Sequence, residues 1–139
     1  MCIRDSDIGP EDDPLQAGLG FAVNWDKAGG FRGRDALLAA TAKPLNRRMT
    51  QFLLENPEKM LYHEEPIWRD GIRVGRTTSG MYGHTLGGCV GLGYVEHPEG
   101  VNRDFINEGL WEIEIAGERI PARASLSPLY DPKSERIKA

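Results

Sequence analysis

The chain has 139 residues, 40% hydrophobic and 27% charged, and its 17 basic and 21 acidic side chains leave a formal net charge of −4. A domain of this size buries roughly 70% of the surface its unfolded chain exposes, so it needs no disulfide staple. Mild acidity without a basic block argues against nucleic acid or an anionic membrane as the main partner, and the apolar runs fall far short of the roughly 20 residues that span a bilayer.

Taken in chain order, Met1-Cys-Ile-Arg-Asp-Ser6 resembles the translation of a sequencing adapter and lacks the apolar core of a secretion signal. It is expected not to belong to the protein. Setting it aside removes Cys2 and leaves Cys89 as the one cysteine, and the charge survives because Arg4 and Asp5 cancel. Neither cysteine sits in a Cys-x-x-Cys pair, which excludes a zinc ribbon or thioredoxin-type site and fits a reducing, cytoplasmic compartment. Glu11-Asp12-Asp13 reads as a solvated acidic run. Gly18-Leu-Gly-Phe-Ala-Val23 is apolar and β-compatible. Arg34 to Ala40 are good helix formers entered through Gly33, with Leu37, Leu38 and Thr41 on one face and Pro44 as the stop.

From Arg47 onward the texture changes to short strand-like runs. Met49–Leu54 is one, ending at Asn56-Pro57; Pro66–Arg69 and Ile72–Gly75 flank Asp70-Gly71, the strongest local hairpin signal in the chain. Arg76–Ser79 extends the second of these strands, and Cys89–Val95 is another, with Gly91 and Gly93 alternating with larger residues. Trp111–Ile115 alternates apolar and charged residues, and Gly117 turns it into Arg119–Ala124, where Pro121 suits an edge or bulge. About six short strands separated by turns imply a mainly β fold, a small antiparallel barrel or sandwich.

Little of this carries recognisable chemistry. His63, His84 and His97 have no His-x-x-x-His or Glu-x-x-His spacing, so no metal site is expected, and Cys89 reads as a small buried hydrophobe. No Gly-x-Ser-x-Gly elbow, phosphate loop or complete dinucleotide fingerprint is present, and Glu64/Glu65 in a loop and Glu112/Glu114 on a solvent face make no catalytic acid pair. Thr77–Gly87 is richer in hydroxyls and glycines than a strand needs. It reads equally as a crossover between strands or as a loop lining a pocket or domain interface.

Several segments resemble the carboxyl end of the glycine cleavage T-protein family: Pro14-Leu-Gln-Ala-Gly-Leu-Gly-Phe-Ala-Val, Phe31-Arg-Gly-Arg-Asp-Ala-Leu, Glu65-Pro-Ile-Trp-Arg-Asp-Gly, Val74-Gly-Arg-Thr-Thr-Ser-Gly, Leu92-Gly-Tyr-Val and Pro121-Ala-Arg-Ala. Within that family, Tyr82-Gly-His-Thr-Leu-Gly87 and Leu129-Tyr-Asp-Pro-Lys-Ser-Glu-Arg136 look more like the flavin-dependent dimethylglycine and sarcosine dehydrogenases than the plain aminomethyltransferase.

The resemblance implies a Greek-key barrel over residues 44–139, preceded over residues 7–43 by an α-containing remnant of a folate-binding domain. It implies a parent that is a tetrahydrofolate-dependent oxidative demethylase of a methylated amine. Its FAD domain and catalytic acid would lie outside this chain, and its missing upstream domains would be the barrel's partners. A fragment of an aminomethyltransferase is the alternative, and a stand-alone barrel used as a binding module is the rival from another class. No catalytic residue carries over. Lys27 and Arg136 match the family's folate-side cations, which would meet folate carboxylates, and Tyr82, His84 and Tyr130 are placed at the interface between barrel and folate domain.

Overall fold

The computed structural model describes residues 7–138, so the adapter-like segment lies outside the described residues. Six antiparallel strands form the body of the molecule: β1 (Arg47–Leu54), β2 (Pro66–Arg69), β3 (Ile72–Gly83), β4 (Gly88–Glu96), β5 (Trp111–Ile115) and β6 (Glu118–Ser125). Around the sheet they run β1-β4-β3-β2-β5-β6, and pairing of β1 with β6 closes it into a barrel. Strands β2, β3 and β4 follow one another through hairpins while β1 lies beside β4, which makes the order a Greek key.

Two of the tight turns follow from local chemistry. Asp70-Gly71 and Ala116-Gly117 both carry positive φ at two successive residues, the type I′ geometry that matches strand twist. Alternation sets the faces. Thr50, Phe52 and Leu54 of β1 point inward, as do Trp111 and Ile113 of β5 and Ile120 and Ala122 of β6. Pro121 faces outward between Ile120 and Ala122, and its carbonyl accepts a hydrogen bond from the Glu55 amide.

The two long connections each cross a mouth of the barrel. Residues 55–65 run from the end of β1 over β4 and β3 to the start of β2, and residues 97–110 cross the opposite mouth between β4 and β5. Each drops a hydrophobic plug inward. Leu61 comes from the first and Val101 and Ile106 from the second, all within the core cluster of Phe52, Ile67, Val95 and Ile113. Burying a side chain of this kind is worth roughly 1.5–3 kcal/mol. The Leu61 plug explains two glycines, since a Cβ on Gly80 or Gly91 would strike it, while one on Gly93 would strike Ile67 of β2.

The second connection contains a short helix, α2 (Arg103–Asn107), that sequence reasoning passes over. The Asn102 side chain caps it by accepting from the Phe105 amide at 2.7 Å, and the Trp111 indole donates to the Ile106 carbonyl at 2.9 Å.

Three expectations are corrected. Gly20–Ala22 forms a single 3₁₀ turn instead of a strand. The strand expected to reach Ser79 runs on to Gly83 as the twelve-residue β3, so only the turn before Gly88 is a loop. The helix after Gly33 forms as α1 (Arg34–Thr41), yet no residue of it is buried, so its apolar face packs on nothing described. Among the described residues, no helix is long and apolar enough to cross a membrane.

Candidate functional site

The structure brings the sequence-predicted residues into two pairs. Tyr82 packs partly on the core near the end of β3 and meets the His84 ring edge-on at 5.1 Å. Tyr130 and Arg136 join in the tail, where the guanidinium donates to the phenol oxygen at 3.0 Å and Asp131 caps the Glu135 and Arg136 amides. That phenol contact raises the pKa of the exposed Arg136. Lys27 is exposed in the turns ahead of α1, and no hydrogen bond or ring contact among the described residues joins it to either pair.

A more organised cluster sits where residues 7–17 cross the barrel, and the sequence reading missed it. Asp12 is not part of a solvated run. It pairs with Arg47 of β1, which also reaches Gln16 Oε1 at 3.2 Å and Glu96 at 3.5 Å. Asp13 caps the amides of Leu15 and Gln16, both at 2.8 Å, and the Met49 amide donates to the Gln16 carbonyl at 2.8 Å. Asp7 is 1% exposed, and its Oδ1 accepts from Thr78 Oγ1 and Ser79 Oγ, each at 2.6 Å. The hydroxyls that drew attention to this segment serve as donors from a strand to the segment that crosses it. A nearby one, Thr77 Oγ1, donates to Glu65 at 3.0 Å.

Tyr94 of β4 completes the cluster, with the Arg47 guanidinium 3.6 Å above its ring. Burial, reinforced by the negative charge of Asp12 and opposed by Arg47, pushes the Tyr94 phenol up to about 12. At Asp12 burial acts to raise the pKa. The Arg47 and Gly9 hydrogen bonds, with the Arg47 charge, outweigh it and hold the carboxyl below its ordinary value.

Two of the cavities beside the barrel bear on these residues. A groove of about 660 Å³ runs along β5 and β6 beside α2, with Ile106, Leu110, Trp111, Pro121 and Ala122 in its walls. A polar cavity of about 250 Å³ lies at the joint described above, lined by Asp7, Asp12, Arg47, Arg76, Thr78 and Tyr94 among others. Of the other reactive side chains, His63 is exposed, while Cys89 and His97 are committed to packing. Cys89 is fully buried with Met60 sulfur 3.7 Å away, and His97 stacks on Phe105 at 4.5 Å. Among the described residues, no group of three His, Cys, Asp or Glu is placed to hold a metal ion.

Residues 47–131, β1 through the turn after β6, match the glycine cleavage T-protein C-terminal barrel domain. The chain belongs to that family. It is 43% identical over 132 residues to 4-methylaminobutanoate oxidase (formaldehyde-forming) of Paenarthrobacter nicotinovorans, covering 95% of this chain and 15% of the relative. Against mitochondrial sarcosine dehydrogenase of Homo sapiens it is 34% identical over 135 residues, covering 96% and 15%. Among solved structures, glycine cleavage system aminomethyltransferase T from Bartonella henselae superposes with a TM-score of 0.70 at 26% identity, over 88% of this chain and 33% of that one. The chain therefore spans 15% of the length of the oxidase and of the sarcosine dehydrogenase, and alignments covering 95% and 96% of it take in residues ahead of the barrel.

Proposed function

We propose that this chain is the carboxyl-terminal portion of a tetrahydrofolate-dependent oxidative demethylase acting on a methylated amine of the dimethylglycine or sarcosine type. Its barrel packs against a folate-binding domain of the same polypeptide, to which residues 7–43 also belong. The observation that carries the reading is that no residue from 18 to 43 is buried. Phe21 is 87% exposed, and Leu19 and Leu38 are exposed with it, an arrangement that an apolar neighbour would cover. The 43% identity to 4-methylaminobutanoate oxidase, against 35% to an aminomethyltransferase and 34% to a sarcosine dehydrogenase, supports a methylamine-oxidising parent.

Folate fits these residues only in part. Lys27 and Arg136 offer cations for its carboxylates, but Arg136 is engaged with Tyr130 and neither residue lines the cavities described above. The walls of a folate site, and the FAD that oxidises the amine, would come from the rest of the parent protein. No step of the reaction is assigned to a side chain present here.

The purified chain, given sarcosine or dimethylglycine with FAD and tetrahydrofolate, is expected to stay colourless and to release no formaldehyde or methylene-folate. Turnover, or a bound yellow flavin, would overturn the reading. The coding sequence upstream of the Asp7 codon is expected to continue in frame into a folate domain, whereas an in-frame stop ahead of a separate start would favour an independent binding module.

A further inference from the structure

The joint between residues 7–17 and the barrel carries an unmet demand for a positively charged hydrogen-bond donor. Asp7 is a buried carboxylate whose Oδ1 takes both hydroxyl protons, from Thr78 and Ser79, while its Oδ2 has no partner among the described residues. The Tyr94 hydroxyl, on a residue 4% exposed, has Asp12 beside it to take its proton, and its oxygen receives no donor among the described residues. Both residues line the same polar cavity of about 250 Å³.

That cavity is lined by five carboxylates, Asp7, Glu11, Asp12, Glu64 and Glu96, against two guanidinium groups. Both guanidiniums are already paired, Arg47 with Asp12 and Glu96, and Arg76 with Glu64 at 2.8 Å. An ionised carboxylate removed from water is costly unless a counter-charge and donors meet it, and two hydroxyls on one oxygen supply no charge. A water molecule would satisfy the hydrogen bond at Oδ2 and leave the cavity's excess of carboxylates over guanidinium groups as it is.

We propose that this cavity is a binding site for a compact ammonium group, held between Asp7 Oδ2 and the Tyr94 hydroxyl. The lining chemistry selects the class. Its excess negative charge repels an anion, and among the described residues no trio of metal-ligating side chains is placed for a metal ion. An ammonium group donates in several directions at once, to the acceptor-only carboxylate and to the phenol oxygen, which stays protonated and neutral near pH 7. Because Asp7 lies on the segment ahead of the barrel and Tyr94 on β4, the occupant would also pin that segment to the barrel wall.

The test is an amide NMR titration of the full chain with ammonium chloride and, separately, ethylammonium chloride, against sodium chloride at matched ionic strength. Amides of Asp7, Gly9, Thr78 and Tyr94 are expected to move saturably with an affinity on the order of millimolar. Saturation by ammonium alone marks a site for the free ion, and saturation by both marks one for the ammonium end of an amine. Asp7→Asn and Tyr94→Phe are each expected to weaken binding by about tenfold or more. Tyr94→Phe keeps the ring beneath Arg47, so its result stands even where Asp7→Asn loosens the segment. Shifts that sodium chloride reproduces, that fail to saturate, or that Tyr94→Phe leaves unchanged would overturn the proposal.

Discussion

Gly91 faces the barrel interior at the point where Leu61, arriving from the β1–β2 crossover, occupies the space a side chain would need. A methyl group there meets Leu61 and also lies 3.1 Å from the Ser79 carbonyl oxygen. Gly91→Ala is therefore expected to destabilise the fold by about 1–3 kcal/mol, the usual cost of overpacking. Leu61→Ala alone removes a side chain that is 1% exposed and should cost about 2–5 kcal/mol. Combined, the two should fall well short of additive, because the truncation vacates the space the new methyl requires. Urea unfolding of the two single variants and the double variant gives the coupling; strict additivity would mean that Leu61 is not what Gly91 makes room for. The alternation of glycine with larger residues in β4 was visible in the sequence, but its cause was not, since the plug comes from a segment some thirty positions away. Tyr94 and Asp12 give a second residue-scale expectation. The Tyr94 phenol, raised from 10.0 to about 12, holds its proton more tightly folded than unfolded. Its contribution is whole below pH 10 and disappears as pH climbs toward 12, a loss of roughly 2–3 kcal/mol. Asp12 runs the other way: its lowered carboxyl stabilises above its unfolded value of 3.8, and that contribution is lost as pH falls through the folded value. In urea midpoints against pH, Tyr94→Phe should flatten the alkaline limb and only trim the acid limb, which the Arg47 and Gly9 contacts of Asp12 sustain; an unchanged alkaline limb would refute the assignment.

Elements ahead of the barrel divide into two kinds that composition did not separate. Residues 7–17 are tied to the barrel through Asp7 with Thr78 and Ser79, Asp12 with Arg47, and the Met49 amide with Gln16, and Ala17 is buried there. No residue of 18–43 is fully buried, and α1 has eight residues, below the length at which an isolated helix is stable in water. Hydrogen exchange should report strong protection in β1, β3 and β4, intermediate protection at Leu15 to Ala17, and exchange near the intrinsic rate across Gly18 to Lys43. Uniform protection from Asp7 to Lys43 would show that the second stretch finds a partner surface within this chain. The barrel strands were legible because burial on one face imposes period-two alternation and because Asp-Gly and Ala-Gly turns carry their own geometry. The continuation of β3 past Ser79 was not, because the hydroxyls of Thr77–Ser79 read equally as loop chemistry until Asp7 and Glu65, distant in sequence, are known to receive them. The helix α2 escaped for the opposite reason, since five residues behind a Pro-Glu-Gly stretch are too few to show a helical period.

For the whole molecule, the closed barrel and the open segment ahead of it make different claims about what the chain needs. The barrel is self-sufficient: its sheet has no free edge, both mouths are plugged, and Phe52, Ile67, Val95 and Ile113 are fully enclosed. The segment is not, and Phe21 is its clearest sign. If that ring is kept apolar for a neighbouring domain, replacing it should cost the isolated chain nothing. Phe21→Ser is expected to shift the unfolding free energy by less than about 0.5 kcal/mol, as for exposed sites generally. The same change should reduce binding of a hydrophobic dye and any concentration-dependent self-association, because it removes the most exposed aromatic ring of the segment. A control at Ile72, 68% exposed beside the β2–β3 turn on the barrel itself, should leave both readings largely unchanged. A marked loss of stability in Phe21→Ser would place the ring inside the fold of the free chain, and equal effects at Phe21 and Ile72 would remove the reason to regard residues 18–43 as a docking surface.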